Sequence, residues 1–446
     1  MNEKRIRSGS GLMATSSRRF CLLPSSFCLI LVALAASCAP APIRVGPGET
    51  AKSLKSVVEG LKPGDVVEIA PGTYREVMKI RARGTAGAPI VIRGAAGKPR
   101  PVFDATGLDV SGKGAVPRSI LQIEGAYIVL EHLELTGARN GGSAAGVRLL
   151  ASTNATIRDC VVHHCDLGVF GDDRETATIE NCDVGFNSTE EWRGYAHNFY
   201  MHGNRVVVRN CRIHDSPFGQ NFKTRAHYNE LWYNLIADSD EGEVGPVDEH
   251  ARVKDGTGLA NSNVLMVGNV VISKPKRGGN ESKFVLFGAE LKDSAGHNGT
   301  LYMFNNTLIA GSPEIIFIQL ADPGASLVAR NNIFLGSQQI LKETKPAKAV
   351  VGSHNWMPAD AKVPAGFTAT LAGADPGFVD AERRDFRLKP GSPCAGAGTV
   401  ALDYVDGDGA RHELSLEKCC QSQRGTAPYR TGERPPIGAL QASEPK

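Results

Sequence analysis

Neither sign of charge is in excess: Lys+Arg 50 stand against Asp+Glu 47, a formal net charge of +3. Nucleic-acid binders and basic membrane-surface proteins need a basic surplus or clustered basic stripes, so neither class fits. None of the 10 cysteines forms a C-x-x-C pair, which leaves no zinc or dithiol redox motif. The apolar run from Phe27 to Ala36 is too short to span a bilayer. Aromatic residues are only 6%, yet hydrophobic residues reach 41%, enough for a large core and too much for a disordered chain. Glycine, by contrast, is abundant: 50 of 446 residues, about 11% against a usual level of roughly 7%. Without collagen periodicity, that excess predicts many turns, and hence a β-rich or repetitive architecture.

Residues 1–37 carry Lys4, Arg5, Arg7, Arg18 and Arg19 ahead of the apolar run, and Ala35-Ala36-Ser37 follow. A basic segment, a short apolar segment and small residues before a cut site are what an export signal requires. Ser37-Cys38 also resembles the end of a bacterial lipobox, in which Cys38 would be lipidated; cleavage near Ala35 or Ala39 is the alternative. The expected location is therefore exported: periplasmic, outer-membrane-anchored or extracellular, touching a membrane only through such an anchor. Without Met1 to Ser37 the chain holds 50−5 = 45 basic and 47−1 = 46 acidic residues.

A short motif recurs along the middle of the chain. It appears as Leu130-Glu131-His132-Leu133-Glu134-Leu135, Ile157-Arg158-Asp159-Cys160-Val161-Val162, Ile179-Glu180-Asn181-Cys182-Asp183-Val184 and Val208-Arg209-Asn210-Cys211-Arg212-Ile213. Leu231-Trp232-Tyr233-Asn234-Leu235-Ile236 follows, with further copies centred on Asn269, Asn306 and Asn332. The intervals are irregular, which suits a coil that tolerates loop insertions better than a helical solenoid. Short alternating strands cannot bury their inner face alone, so coils must stack at about 4.8 Å. Equivalent positions then superpose: Cys160, Cys182 and Cys211 as an interior thiol stack, Asn234, Asn269, Asn306 and Asn332 as an amide ladder.

This pattern predicts an all-β fold, a right-handed parallel β-helix forming a single solenoid, and the chain resembles the pectate-lyase-like superfamily of secreted proteins. Leu61 to Tyr74 (LKPGDVVEIAPGTY) is similar to the first coil of chondroitinase-B-like and alginate-lyase-like members, and Ala86 to Gly94 to the next. Leu54, Val57, Val58 and Leu61 are spaced as on a short amphipathic helix capping the open N-terminal end. Asp385 to Pro393 and Ile437-Gly438-Ala439 resemble closing segments of exported β-helix proteins. The expected division is signal 1–37, β-helix 43–345, and C-terminal coils and cap 346–446. A disulfide from Cys394 to Cys419 or Cys420 is compatible with an oxidising compartment.

Function on a β-helix belongs to outward side chains in register on successive coils. Aligning Phe199 with Phe222 as inward residues places Tyr200 beside Lys223 and His202 beside Arg225 on the outer face, with Asn198 next to Asn221. By itself an outward Lys-Thr-Arg is an ordinary solvated strand; the two-coil constellation is what raises it. Arg225 is suited to hold a uronate carboxylate, Lys223 or His202 to remove the neighbouring proton, and Tyr200 to protonate the leaving oxygen. Those roles describe β-elimination by a polysaccharide lyase, which the resemblance also implies. In chondroitinase-B-like lyases the Lys and Arg come from separate coils, whereas here they share a strand, so no catalytic assignment is carried over. His197, Asn198, Asn221 and His227 are the expected substrate contacts. Asp238, Asp240 and Glu241, in a loop with Glu243, Asp248, Glu249 and His250, are candidate Ca2+ ligands without EF-hand spacing; a solvated acidic loop is the alternative. The expected partner is an anionic polysaccharide met by a monomer. The alternative is a non-catalytic envelope protein that binds glycan through the same face. A glycoside hydrolase needs two facing carboxylates, which no outward register supplies.

Overall fold

The computed structural model describes residues 41–248, 260–275, 283–290, 296–414, 416 and 434–439. Residues 1–37, read as a signal, and Cys38, Glu249, His250, Cys419 and Cys420 therefore lie outside the described residues. The chain winds into a parallel β-helix. One 12-stranded sheet forms a face by itself, and a 21-stranded sheet folds into the other two. These two join because strands Leu167–Glu180 and Phe199–Arg209 run through the corner that other coils break. Every pairing along the solenoid is parallel, as in Leu130↔Ile157↔Ile179↔Val208↔Leu231, so each inner side chain lies on its equivalent in the next coil.

The repeat has a backbone cause. In each coil the residue just before the register position takes a left-handed conformation: His132, Asp159, Asn181, Asn210, Tyr233, Gly268, Asn305, Asn331 and His354 all have positive φ. Asn, Asp, His and Gly tolerate that region best, which is why they recur there. The tight turn swings the following side chain inward. Leu133, Cys160, Cys182, Cys211, Asn234, Asn269, Asn306 and Asn332 are all buried, as expected, and Asn355 adds one more rung. From Asn269 onward each ladder Oδ1 accepts both the backbone N–H and the Nδ2–H of the rung before it, for Asn269 at 2.9 and 3.0 Å from Asn234; Asn234 Oδ1 accepts the Cys211 N–H at 2.9 Å. Each Nδ2 also donates to a strand-end carbonyl, as Asn269 does to Leu231 at 2.8 Å. Every amide is thus satisfied without water. Burial drives the Cys160 and Cys182 thiols well above their usual range, so this stack is structural and unreactive.

The next outward column but one is an alternating charge ladder. Glu68, Arg93, Glu131, Arg158, Glu180 and Arg209 follow one another on six successive coils. The pairs close at 3.3 Å (Arg93–Glu68), 3.0 Å (Arg158–Glu131) and 2.6 Å (Arg209–Glu180).

Both ends differ in detail from expectation. The N-terminal segment is two 3₁₀ turns, Leu54–Ser56 and Val58–Gly60, rather than one amphipathic helix. Two adjacent valines and Gly60 are poor helix formers, and Leu54, Val58 and Leu61 still plug the open core. At the other end the coils continue through Leu371–Gly373. The remaining chain does not cap the last coil alone but runs back along the flank as two antiparallel hairpins. Phe378, Phe386, Leu388, Cys394 and Ile437 cover outward Val270, Ile272, Ile333 and Trp356. Leu402 covers Leu265, Val267 and Phe304. Those outer faces are apolar and drive their own covering.

Candidate functional site

The inward pair Phe199 and Phe222 stack at 5.8 Å, and this fixes the register of everything outside them. Tyr200 pairs with Lys223, as alternation predicts. The same outer column extends to Phe170 and Arg148, where the Arg148 guanidinium lies 4.2 Å over the Phe170 ring. Burial and the nearby Arg118 charge lower the Arg148 pKa to about 10. Phe170 meets Tyr200 edge-on at 5.5 Å, and His202 lies 5.0 Å from Tyr200. Arg225 donates from Nε to the Tyr200 hydroxyl at 3.0 Å. Because that oxygen accepts from Arg225, the phenolic proton is directed away from the guanidinium.

His197 joins this cluster from the end of the preceding loop, its ring perpendicular to Tyr200 at 5.2 Å. Its Nδ1 accepts the Gln220 backbone N–H at 2.9 Å. The ring is fully buried, and burial together with the Lys223 and Arg225 charges holds its pKa well below the usual histidine value. A neutral ring accepting at Nδ1 carries its proton on Nε2. That Nε2 has no hydrogen-bond partner among the described residues. His197 is therefore a donor without an acceptor among the described residues, and not a base.

Lys223 and Arg225 are not the free, solvent-facing cations that strand alternation suggests. Their side chains are 4% and 6% exposed, and both are paired. Lys223 Nζ lies 2.5 Å from Glu290 Oε2, and Arg225 reaches Asp248 Oδ2 at 3.0 Å. Asp248 is itself fully buried and accepts the Glu290 backbone N–H at 2.9 Å. The carboxylates come from two later coils and stand directly over the cations, so burial and neutralisation arrive together.

Asn198 and Asn221 face the interior and not the groove. They precede strands Phe199–Arg209 and Phe222–Thr224 at the corner, where simple alternation lapses and two consecutive residues point inside. There they form a second ladder: Asn187 donates to Asn198 at 3.0 Å, Asn198 to Asn221 at 2.7 Å, and Asn221 to Glu243 at 2.6 Å. Burial raises the Glu243 pKa to about 7 against the hydrogen bonds it accepts. His227 is not drawn into the cluster; its Nε2 donates to the Gly407 carbonyl at 3.2 Å and ties the C-terminal hairpin to the flank.

The three expected calcium ligands diverge. Asp238 is gripped by the Arg384 fork at 2.5 and 2.8 Å, Asp240 by Lys274 at 2.9 Å, and Glu241 lies 3.9 Å from Arg193. Three cations compete for what one metal ion would need, and no set of three metal-ligating side chains converges among the described residues. Sequence reading missed Glu290 altogether and left Asp248 as a residue of the acidic loop. Glu290 lies 67 positions beyond Lys223, and only the count of coils between them could have brought the two together.

A family model described as a right handed beta helix region matches residues 145–334. No curated protein matches the sequence. Among solved structures, the chain is similar to pectate lyase Pel9A at 16% identity, covering 90% of this chain and 97% of that one with a TM-score of 0.53. It is also similar to XylC in complex with xylose at 12% identity, covering 90% and 98% with a TM-score of 0.55. At such identities the likeness is one of fold.

Proposed function

Starting from a right-handed parallel β-helix of the pectate-lyase-like type, we propose that this protein is carbohydrate-active and cleaves a uronate-containing polysaccharide by β-elimination. The observation that carries the reading is the Arg225 to Tyr200 hydrogen bond on an outer strand face shared with Lys223 and flanked by His197. Two cations suit a sugar carboxylate, and a phenol whose proton is free suits a leaving oxygen. The fold neighbour named as a pectate lyase acts on such a chain, which supports the substrate class.

In the reaction, Arg225 and Lys223 bind the uronate carboxylate and spread the negative charge that builds as the adjacent C–H proton leaves. His202 takes that proton. The C–H electron pair becomes the new C=C bond, the glycosidic C–O bond breaks, and Tyr200 protonates the departing oxygen. No water or redox partner is consumed.

The test is incubation with polygalacturonate, alginate and glycosaminoglycans, following the near-ultraviolet absorbance of unsaturated ends. Absorbance growth that is lost in Tyr200→Phe supports the reading; none on any polymer sinks it. A second reading, glycan binding without turnover, draws on the ion pairs already closed over Lys223 and Arg225; retained polymer binding with no product would establish it. Export, and lipidation at Cys38, belong to the same proposal as the route to such a polymer. Mass of the mature N-terminus decides between them.

A further inference from the structure

The ionic quartet at the site is not symmetric. Asp248 is entirely buried and does two structural jobs: it holds Arg225 at 3.0 Å and fixes the Glu290 backbone at 2.9 Å. Glu290 is different. Its side chain is 30% exposed, against 4% for Lys223, 6% for Arg225 and 0% for Asp248. Its Oε2 lies 2.5 Å from Lys223 Nζ and 3.7 Å from Arg225 Nη2. One carboxylate, open to solvent, thus spans a lysine and an arginine seated almost out of reach of water.

That is the contact the carboxylate of a uronate would make. We propose that Glu290 is an intramolecular stand-in for the substrate carboxylate, and that an anionic sugar binds by exchanging with it on Lys223 and Arg225. This rests on the reading of those two cations as a uronate subsite and adds a residue that sets their specificity. The exchange conserves charge: one carboxylate leaves the pair as another enters, and Glu290 turns to the solvent it already touches.

A tethered carboxylate competes at an effective concentration that free acids reach only in the millimolar range. Isolated uronates should therefore bind weakly, and a polymer holding neighbouring subsites should win the exchange. The chemical class selected is a polyuronate chain rather than its monosaccharides.

The experiment is calorimetric titration of the full chain with sodium galacturonate, sodium glucuronate and neutral galactose. Wild type is compared with Glu290→Gln and Glu290→Ala, with thermal melts confirming that each is folded. If the self-occupied form dominates, removing the plug raises apparent affinity by the inverse of the open fraction, about tenfold for an open fraction near one-tenth. The expected result is at least that gain for one of the two acids in both variants, with none for galactose. Unchanged or weaker binding of both acids, or an equal gain for galactose, overturns the proposal. Product formation from polymers by wild type is scored separately. Cleavage without an affinity gain removes the stand-in and leaves the lyase reading; an affinity gain without cleavage does the reverse.

Discussion

Arg225 donates from its Nε to the Tyr200 hydroxyl at 3.0 Å across two neighbouring coils. This bond leaves the phenolic proton pointing away from the guanidinium, and in the proposed elimination the pair acts as one acid group. Tyr200→Phe should lower turnover by about 10²–10⁴-fold, the usual contribution of a positioned acid. Its melting temperature should stay close to wild type, because the ring keeps its edge-on contact with Phe170. Loss of fold in parallel with activity would argue that Tyr200 is only a packing residue.

Asn269 sits mid-ladder, accepting from Asn234 and donating to Asn306 and Leu231. Asn269→Ala takes a bond from two buried donors, the Asn234 N–H and Nδ2, and from two buried acceptors, Asn306 Oδ1 and the Leu231 carbonyl. A loss of about 2–4 kcal/mol follows from leaving such groups unpaired. Urea unfolding monitored by circular dichroism reads it; a cost under about 0.5 kcal/mol, the level of a surface change, would deny the ladder its stabilising role.

Glu243 ends the corner ladder with its pKa raised by burial to about 7, above the 4.5 of a free glutamate. The folded state then holds a proton that the unfolded chain has released between those two values. Stability should therefore fall as pH rises from about 4.5 to about 7, by on the order of 3 kcal/mol at most, and level off above. Glu243→Gln should flatten that window in melts taken at intervals from pH 4.5 to 8. An equally steep fall in the variant would place the titration elsewhere.

Glu180 lies between Arg158 and Arg209 in the outer charge ladder. Glu180→Arg sets three guanidinium groups in a row on adjacent coils. The expected destabilisation is about 1 kcal/mol at low salt, shrinking as ionic strength rises and the Debye length shortens. A salt-independent cost would mean that packing, and not charge, was disturbed.

The fold was legible because the repeat is local. Each copy holds a left-handed turn residue such as Asn181 or Asn210 followed by an inward Cys or Asn, and both preferences act within a few residues. The Phe199–Phe222 register was legible for the same reason. The burial of Lys223 and Arg225 was not, since it depends on Asp248 and Glu290 arriving from later coils. Nor was the inward turn of Asn198 and Asn221, because period-two alternation holds along a strand and lapses at its corner.

Amino-acid order alone thus settled what stacks on what: a parallel coil, its thiol and amide ladders, and the neighbourhood of Tyr200 with Lys223. Tertiary structure decided the electrostatics. Whether a cation on an outer strand is open to a ligand depends on which loops close over it, and loop closure joins residues as far apart as Lys223 and Glu290. Coulomb attraction in a place emptied of water acts on distance in space, which sequence spacing does not encode.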